Sequence, residues 1–411
     1  MSKKTISQQT SRRKFISMTG AGIASLAAVP YFVIAAGVKS SDQEQEKTSW
    51  DQDPSKGWVP VSDRKIRVGL VGYGASKFAA AFGFQDHPNV EVVAVSDLFP
   101  DRCAELAKVT KCKKTYPSLE ELVKDDKIEA VFVATDAPSH MQHCTEVLKH
   151  GKHVASAVPA IFGSLEQADK LLEAVRKSGL KYMMFETSCF REDNYAMRQI
   201  YNAGGFGKLV YSEGEYFHGP SLTPAKSAGT PSYKNWRSGL PPQWYPTHSN
   251  AYYVGITGES FTEVSCLGMH RLGEGNRPVS NQYNNPFASE IALLRTSEGG
   301  MARMAVSWEC PGFYAETGRV RGQKGSFYGK YEGLEKNLPD LNKPPLPPEV
   351  TPGGHGGSHG PLMNEFVLSI LNDRKPLIDV AMALNITVPG VVSHQSALKD
   401  GECMKIPQFK L

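Results

Sequence analysis

Ile66-Arg67-Val68-Gly69-Leu70-Val71-Gly72-Tyr73-Gly74-Ala75-Ser76-Lys77 is the stretch whose reading decides the fold. Its first six residues form a short apolar run bounded by glycine, the pattern of a strand buried on both faces of a parallel sheet. The run enters a tight glycine turn and then the apolar segment Phe78 to Phe84. A strand, a glycine turn and a helix N-terminus are the parts that hold a pyrophosphate: Gly72 allows the turn, Gly74 lets phosphate approach the backbone, and the helix end supplies N–H groups. Tyr73, Ala75 and Ser76 complete the turn, and Lys77 stands where a third glycine is usual.

The next apolar run, Val90 to Val95, ends in Ser96-Asp97. A carboxylate at the tip of the second strand can accept hydrogen bonds from an adenosine ribose and would repel a 2′-phosphate, which favours NAD over NADP. A second reading stays open, in which Asp97 only caps the helix that starts near Pro100. Beyond it the alternation continues: a helix start at Ser118 to Val123, a strand at Ile128 to Ala134 and a helix at Pro138 to His150. A strand at Lys152 to Ser156, a helix at Leu165 to Ser178 and a last strand at Lys181 to Phe185 complete it. Strands alternating with helices predict a doubly wound parallel sheet, a Rossmann domain over residues 63–186.

Over 187–411 the rhythm changes. Val210 to Phe217, Glu290 to Thr296 and Met301 to Trp308 read as strands, and a loop-rich stretch from Gly219 to Tyr245 carries prolines and aromatics. This predicts a second α/β domain with an open, largely antiparallel sheet whose loops build a substrate site.

The whole chain has 411 residues, 40% of them hydrophobic and 21% charged, which excludes wholesale disorder and leaves enough apolar material for two domains. The net charge of +4 comes without a long basic run, so nothing recommends a nucleic-acid partner. Seven cysteines without a CxxC pair fit neither a zinc ribbon nor a disulfide framework. Ser11-Arg12-Arg13-Lys14-Phe15-Ile16, followed by an apolar stretch from Gly20 to Val38, resembles a twin-arginine export signal over 1–38, with a polar linker over 39–62. The resemblance implies recognition by the twin-arginine machinery and a periplasmic or otherwise exported protein. The alternative, an uncleaved membrane anchor, is opposed by Pro30 and the Gly/Ala-rich character of the run.

Val68-Gly69-Leu70-Val71-Gly72-Tyr73-Gly74, Val131-Phe132-Val133-Ala134-Thr135 with Ser139-His140, and Gly151-Lys152-His153-Val154 together resemble the Gfo/Idh/MocA oxidoreductases. The likeness runs from Ile66 to the C-terminus. It implies a bound nicotinamide dinucleotide, with Thr135, His140, Val158 and Pro159 beside it, and sugar-like substrates. A narrower likeness to family 109 of the glycoside hydrolases rests on Met183-Met184-Phe185-Glu186, Asn235-Trp236-Arg237, Tyr245-Pro246-Thr247-His248 and Gly353-Gly354-His355-Gly356-Gly357. Such enzymes use NAD for redox-neutral glycoside cleavage, outside the ordinary two-carboxylate scheme. Two departures stand out. The superfamily's Glu-Lys-Pro element appears as Ala157-Val158-Pro159, and a tyrosine of the hydrolase branch is Phe190.

His248 is the first candidate for proton transfer, since an imidazole can take a hydroxyl proton as hydride leaves the same carbon. Tyr245 and Glu186 join it as catalytic candidates, together with His355 in the glycine-dense segment Gly353 to Gly360. That density predicts a flexible loop that cannot hold a helix, so His355 and His359 do not read as an i,i+4 metal pair, and no metal site is predicted. A bare interdomain turn is the other reading of the segment. Trp236 and Arg237 offer an apolar ring face and a planar donor fork to a sugar, with His218 and His359 as further substrate contacts and Glu215 and Tyr216 as weaker ones. Three functions are open: an exported sugar oxidoreductase with internally recycled NAD, a redox-neutral glycosidase, and a sugar-binding protein that retains NAD without catalysis. Homo-oligomers are common among the proteins the chain resembles.

Overall fold

β1 (Ile66–Val71) and β4 (Ala130–Val133) lie side by side at the centre of a six-stranded sheet with the order β3-β2-β1-β4-β5-β6. The others are β2 (Val90–Ser96), β3 (Thr115–Tyr116), β5 (His153–Ser156) and β6 (Tyr182–Met184), and every pairing is parallel. The computed structural model describes residues 57–219, 236–270, 281–310 and 315–411. The twin-arginine segment, the linker up to residue 56 and positions 220–235 of the proline-rich loop lie outside them.

The helices between the strands follow from local signals. Pro100 opens α2 (Pro100–Thr110), Ser118 caps α3 (Leu119–Leu122) by accepting from Glu121 N–H, and Gly179 in the left-handed region ends α5 (Leu165–Ser178). α4 spans His140–Lys149. The helix expected from Phe78 to Phe84 is a single turn, α1 (Phe78–Ala81): Gly83 at φ 79° ends the run and a short 3₁₀ turn follows. The strand order reverses between β1 and β4, and such switch points gather ligands at the carboxyl ends of the strands.

α6 (Glu192–Asn202) leads into an eight-stranded sheet ordered β13-β12-β11-β7-β10-β9-β8-β14. It is built from β7 (Leu209–Phe217), β8 (Phe261–His270), β9 (Phe287–Thr296), β10 (Met301–Ser307), β11 (Ala315–Gly322), β12 (Gly325–Phe327), β13 (Tyr331–Gly333) and β14 (Met404–Lys405). Among the described residues of this sheet, only β7 and β10 pair in parallel. Two short helices, α7 (Thr247–Asn250) and α8 (Val254–Thr257), precede β8. α9 (Gly354–Gly357), α10 (His359–Leu371) and α11 (Val380–Ala397) close the chain before β14.

α11 packs against β6 of the first sheet and β8 of the second, and nearly all its residues are buried. Each fully buried Leu, Ile or Val of such a helix contributes about 1.5–3 kcal/mol. Asn250 Nδ2 donates to Ile386 O at 2.8 Å, which fastens α7 to this helix. α7 also lies directly on β7: a Cβ at Gly214 would come within 2.1 Å of Ser249 O, so only glycine admits the contact. These two contacts fix His248. The seven cysteines are free thiols, five of them buried. No helix among the described residues is long and apolar enough to cross a membrane.

Candidate active site at the ends of β1 and β6

Gly72 follows β1 at φ 96°, and a Cβ there would meet Ala134 O at 2.4 Å. The loops after β1 and β4 therefore touch at the switch point. A Cβ on Gly74 would find no atom within 4 Å, the open cradle a pyrophosphate requires. Asp97 sits beside the turn. Its Oδ2 accepts from Tyr73 N–H at 2.6 Å and its Oδ1 from Phe99 N–H at 2.9 Å. The carboxylate thus braces the turn and the entry to α2, and each oxygen keeps a lone pair for a ribose hydroxyl. A nicotinamide dinucleotide fits these residues, with Gly72, Gly74 and Asp97 as the ones that would hold it.

His140 is buried with its two ring nitrogens at 2.9 Å from Pro159 O and 3.2 Å from Thr135 O. Its side chain ties together the two loops assigned to the cofactor. Burial lowers its pKa, and the bonds to the carbonyls of Pro159 and Thr135 only partly oppose that. Thr135 Oγ1 lies 2.9 Å from His143 Nδ1. Ala157, Val158 and Phe190 are all buried apolar groups, and the Val158–Pro159 bond is cis. No proton carrier stands where the Glu-Lys-Pro lysine would be.

The proton chemistry gathers elsewhere. Glu186 follows β6 and is fully buried; its Oε1 takes Ser188 N–H at 2.8 Å and lies 2.7 Å from His248 Nδ1. Its Oε2 is buried without a hydrogen-bond partner among the described residues, a cost that folds keep mainly where chemistry uses it. Carboxylates only accept, so Nδ1 of His248 carries the hydrogen. Nδ1 also makes every hydrogen bond the ring forms to described residues, which leaves Nε2 for a substrate.

Glu316 of β11 completes the group, 3.7 Å from His248 Nδ1. Arg191 grips it with Nε at 3.0 Å and a terminal nitrogen at 2.8 Å, and Ser188 Oγ donates to it at 2.6 Å. Burial alone would lower the His248 pKa, but the carboxylates of Glu186 and Glu316 outweigh it and hold it above the usual histidine value. Burial pushes Glu316 up, yet His248 and Arg191 leave it below the ordinary carboxylate range. Among the described residues, Glu186, His248 and Glu316 place ligand atoms within 4.8 Å of one another. The guanidinium already neutralises Glu316, so the arrangement reads as an acid–base cluster.

Around His248 stands an aromatic wall. Tyr216 lies with its ring 4.5 Å away and Tyr245 at 5.6 Å, and Trp236 stacks on Tyr245 at 6.2 Å. The Arg237 guanidinium lies over Trp236 at 4.3 Å and Tyr245 at 5.5 Å. Burial raises the Tyr245 pKa, so its hydroxyl remains a donor. His218 borders Tyr216 at 5.8 Å, and burial lowers its pKa. Along β7 Glu215 faces away, bonding Arg303 at 2.6 Å.

His355 and His359 bond to each other, Nδ1 to Nε2 at 2.8 Å, and Phe78 meets both rings edge-on. The glycine segment is more ordered than the expected loop. It makes one turn with left-handed residues inside, and Lys343 Nζ donates to Gly357 O at 3.1 Å. Sequence reading brought together Glu186, Tyr245, His248 and His355 but missed Arg191, Ser188 and Glu316. No local pattern marks these, because Arg191 and Glu316 are 125 positions apart.

Residues 66–186 match the family GFO_IDH_MocA, described as "Oxidoreductase family, NAD-binding Rossmann fold". That stretch carries the NAD-binding domain of the Gfo/Idh/MocA oxidoreductases. Over most of its length the chain is similar to relatives of one kind: it is 25% identical over 415 residues to the glycosyl hydrolase family 109 protein of Streptomyces niveus, covering 90% of this chain and 83% of that one. It is 24% identical to that of Solibacter usitatus, covering 87% of this chain and 92% of the relative. Among solved structures it is similar to a levoglucosan dehydrogenase in complex with NADH and levoglucosan. There the TM-score is 0.69 at 16% identity, covering 84% of this chain and all of that one. The scyllo-inositol dehydrogenase of Lactobacillus casei with bound NAD(H) and scyllo-inositol gives a TM-score of 0.63 at 18% identity, covering 83% of this chain and 99% of that one.

Proposed function

We propose that the chain is an exported, NAD-dependent, carbohydrate-active oxidoreductase that moves hydride to and from a carbon bearing a sugar hydroxyl, keeping its cofactor bound and recycling it within each cycle. The observation that carries this reading is the His248–Glu186 pair at 2.7 Å, backed by Glu316 and Arg191, at the end of a Rossmann strand. The bound dinucleotide supplies the hydride acceptor and donor. The protein's own residues do the rest. Glu186 holds the Nδ1–H of His248 and aims Nε2 at the substrate. That nitrogen takes the hydroxyl proton as the C–H bond breaks, and the two carboxylates stabilise the resulting imidazolium. Trp236 and Tyr245 offer ring faces to the sugar, and Arg237 and the Tyr245 hydroxyl offer donors. Dehydrogenase neighbours complexed with levoglucosan and scyllo-inositol support a carbohydrate substrate.

Export is proposed on Arg12 and Arg13, and NAD rather than NADP on Asp97. Recycling follows from both, because a dehydrogenase outside the cytoplasm lacks the enzymes that would reoxidise free NADH. Homo-oligomerisation is supported by apolar side chains left exposed on the second sheet, where Leu267 of β8 faces Ile291 of β9 and Leu293 lies beside them. The second reading, redox-neutral glycoside cleavage, is favoured by relatives named glycosyl hydrolase family 109 that align over most of both chains.

His248→Ala tests the mechanism. Bound NAD should persist, while single-turnover formation of NADH absorbance with a sugar the wild type oxidises should fall by about 10²–10⁴, the usual contribution of a positioned acid–base group. An unchanged rate removes His248 from the mechanism. Exchange of a glycoside's C2 proton with D2O, followed by aglycone release, selects the redox-neutral reading. A wild type that does neither across levoglucosan, scyllo-inositol and a panel of pyranosides is a binding protein.

A further inference from the structure

His359 opens α10 and is buried, with its ring against Phe82 at 4.3 Å and the edge of Phe78 at 6.0 Å. Its Nδ1 lies 3.1 Å from the carbonyl of Ala81, the last residue of the turn that follows the nucleotide loop. A carbonyl can only accept, so Nδ1 carries the hydrogen and a neutral ring has its lone pair on Nε2. That lone pair points to Nδ1 of His355, 2.8 Å away, which must then donate. One backbone carbonyl therefore fixes the protons of two imidazoles in series. His355 is left with Nε2 unprotonated, and this residue is exposed.

Three of the surrounding glycines answer to this arrangement. A Cβ on Gly353 would stand 2.8 Å from the Cβ of His359, and one on Gly354 would stand 2.9 Å from its Cε1. The turn thus lies directly on the His359 ring. On its other side, a Cβ on Gly356 would come within 3.4 Å of Arg191 Cζ, the guanidinium that holds Glu316. His355 itself has φ 50°, held between these two supports. Burial pushes His359 down to about 4, so the ring is neutral at ordinary pH. Although the residue is open to solvent, the chain packed beside its ring partly desolvates His355 and lowers its pKa, as do the positive charges of His248 and Arg191, while Glu316 and Glu186 oppose them.

We infer that His359 is a positioning residue that locks His355 in the Nδ1-protonated tautomer, so that the glycine turn presents an unprotonated Nε2 to the substrate as a hydrogen-bond and proton acceptor. The inference rests on the proposed function for what that nitrogen meets, a donor such as a sugar hydroxyl, but the tautomer itself follows from the hydrogen-bond chain alone. Free histidine side chains prefer the Nε2-protonated form, so the fold reverses the intrinsic choice at this position.

Long-range ¹H–¹⁵N correlation spectra of the ¹⁵N-labelled full chain, loaded with NAD at neutral pH, read both tautomers directly. The expected result is Nδ1–H with a bare Nε2 on both His355 and His359. Wild-type spectra showing His355 protonated at Nε2 overturn the inference. His359→Phe, which keeps a ring on Phe82 but removes the acceptor, should return His355 to the Nε2–H form. His359→Gln, whose amide can donate to Ala81 and accept from His355, should restore the wild-type pattern. With a sugar the wild type oxidises, kcat should fall about 10–100-fold in His359→Phe, the scale seen when a partner orienting an imidazole is lost, and recover in His359→Gln. A folded His359→Phe with unchanged His355 tautomer and unchanged kcat also overturns it. The two readings fail separately. The expected spectra without hydride transfer on any sugar reject the proposed function and leave the lock standing. Hydride transfer with the opposite spectra does the reverse.

Discussion

Glu186→Gln removes one charge and little else, so it isolates what the buried carboxylate does for His248. The amide oxygen can still accept from Ser188 N–H, which keeps the local fold. What is lost is the counter-charge to the imidazolium that forms as the hydroxyl proton is taken. Nδ1 and Oε1 are 2.7 Å apart, so the charge centres are separated by about 4 Å. At an effective dielectric of about 20 that separation corresponds to about 4 kcal/mol. Glu316 remains at 3.7 Å, farther from the ring and sharing its charge with Arg191, so it compensates only in part. The transfer step should therefore slow about 10³-fold, at roughly 1.4 kcal/mol per decade. The pH profile carries a second signature. The His248 pKa is held above the usual 6.5 by its carboxylates, so wild-type activity should rise with pH through a limb lying above that value. With Glu186 neutralised, burial gains weight and the limb should move to lower pH. Single-turnover NADH absorbance across pH, with NAD content measured after denaturation, gives both readouts. A variant within about three-fold of the wild type, with its acidic limb unmoved, would refute the pairing.

Asp97→Ala should weaken NAD more than NADP in a direct binding titration, with some loss for both because Asp97 also braces the Tyr73 turn; an unchanged preference removes its ribose role. Replacing Arg12 and Arg13 together by Lys should leave uncleaved precursor in the cytoplasm, and normal periplasmic maturation would sink the twin-arginine assignment. Gly72→Ala puts a methyl 2.4 Å from Ala134 O at φ 96°, and thermal melts should show a loss of about 1–3 kcal/mol with little NAD retained. Gly74→Ala has open space and should keep its melting behaviour while still lowering NAD content, so equal melts for the two would contradict the close-approach argument.

The Rossmann half could be read because a strand buried on both faces must be apolar throughout, and β1 and β4 are. α11 escaped the same reading for a related reason. Buried on almost every side and carrying Pro389 inside, it shows no polar face to mark a helical period. At the site, Glu186 and His248 could be found through the strand end and loop that carry them. Arg191, Ser188 and Glu316 could not, since their partnership is made by β11 returning beside the end of β6 rather than by any spacing along the chain. The glycine segment is conspicuous in the sequence, but its order is not: Gly353 and Gly354 answer to the His359 ring and Gly356 to Arg191, which lies far upstream.

The bond from His359 to Ala81 spans 278 positions, and that from His87 to Asn364 spans 277. During synthesis the turn beside the nucleotide loop emerges long before the imidazole that completes it. At about 5–20 residues per second, roughly a quarter of a minute to a minute separates the two. For that interval the Rossmann half stands without its C-terminal partner, its nucleotide loop already made and the later chain still to come. Translation speed between positions 81 and 359 thereby sets how long a dinucleotide can enter before α10 docks.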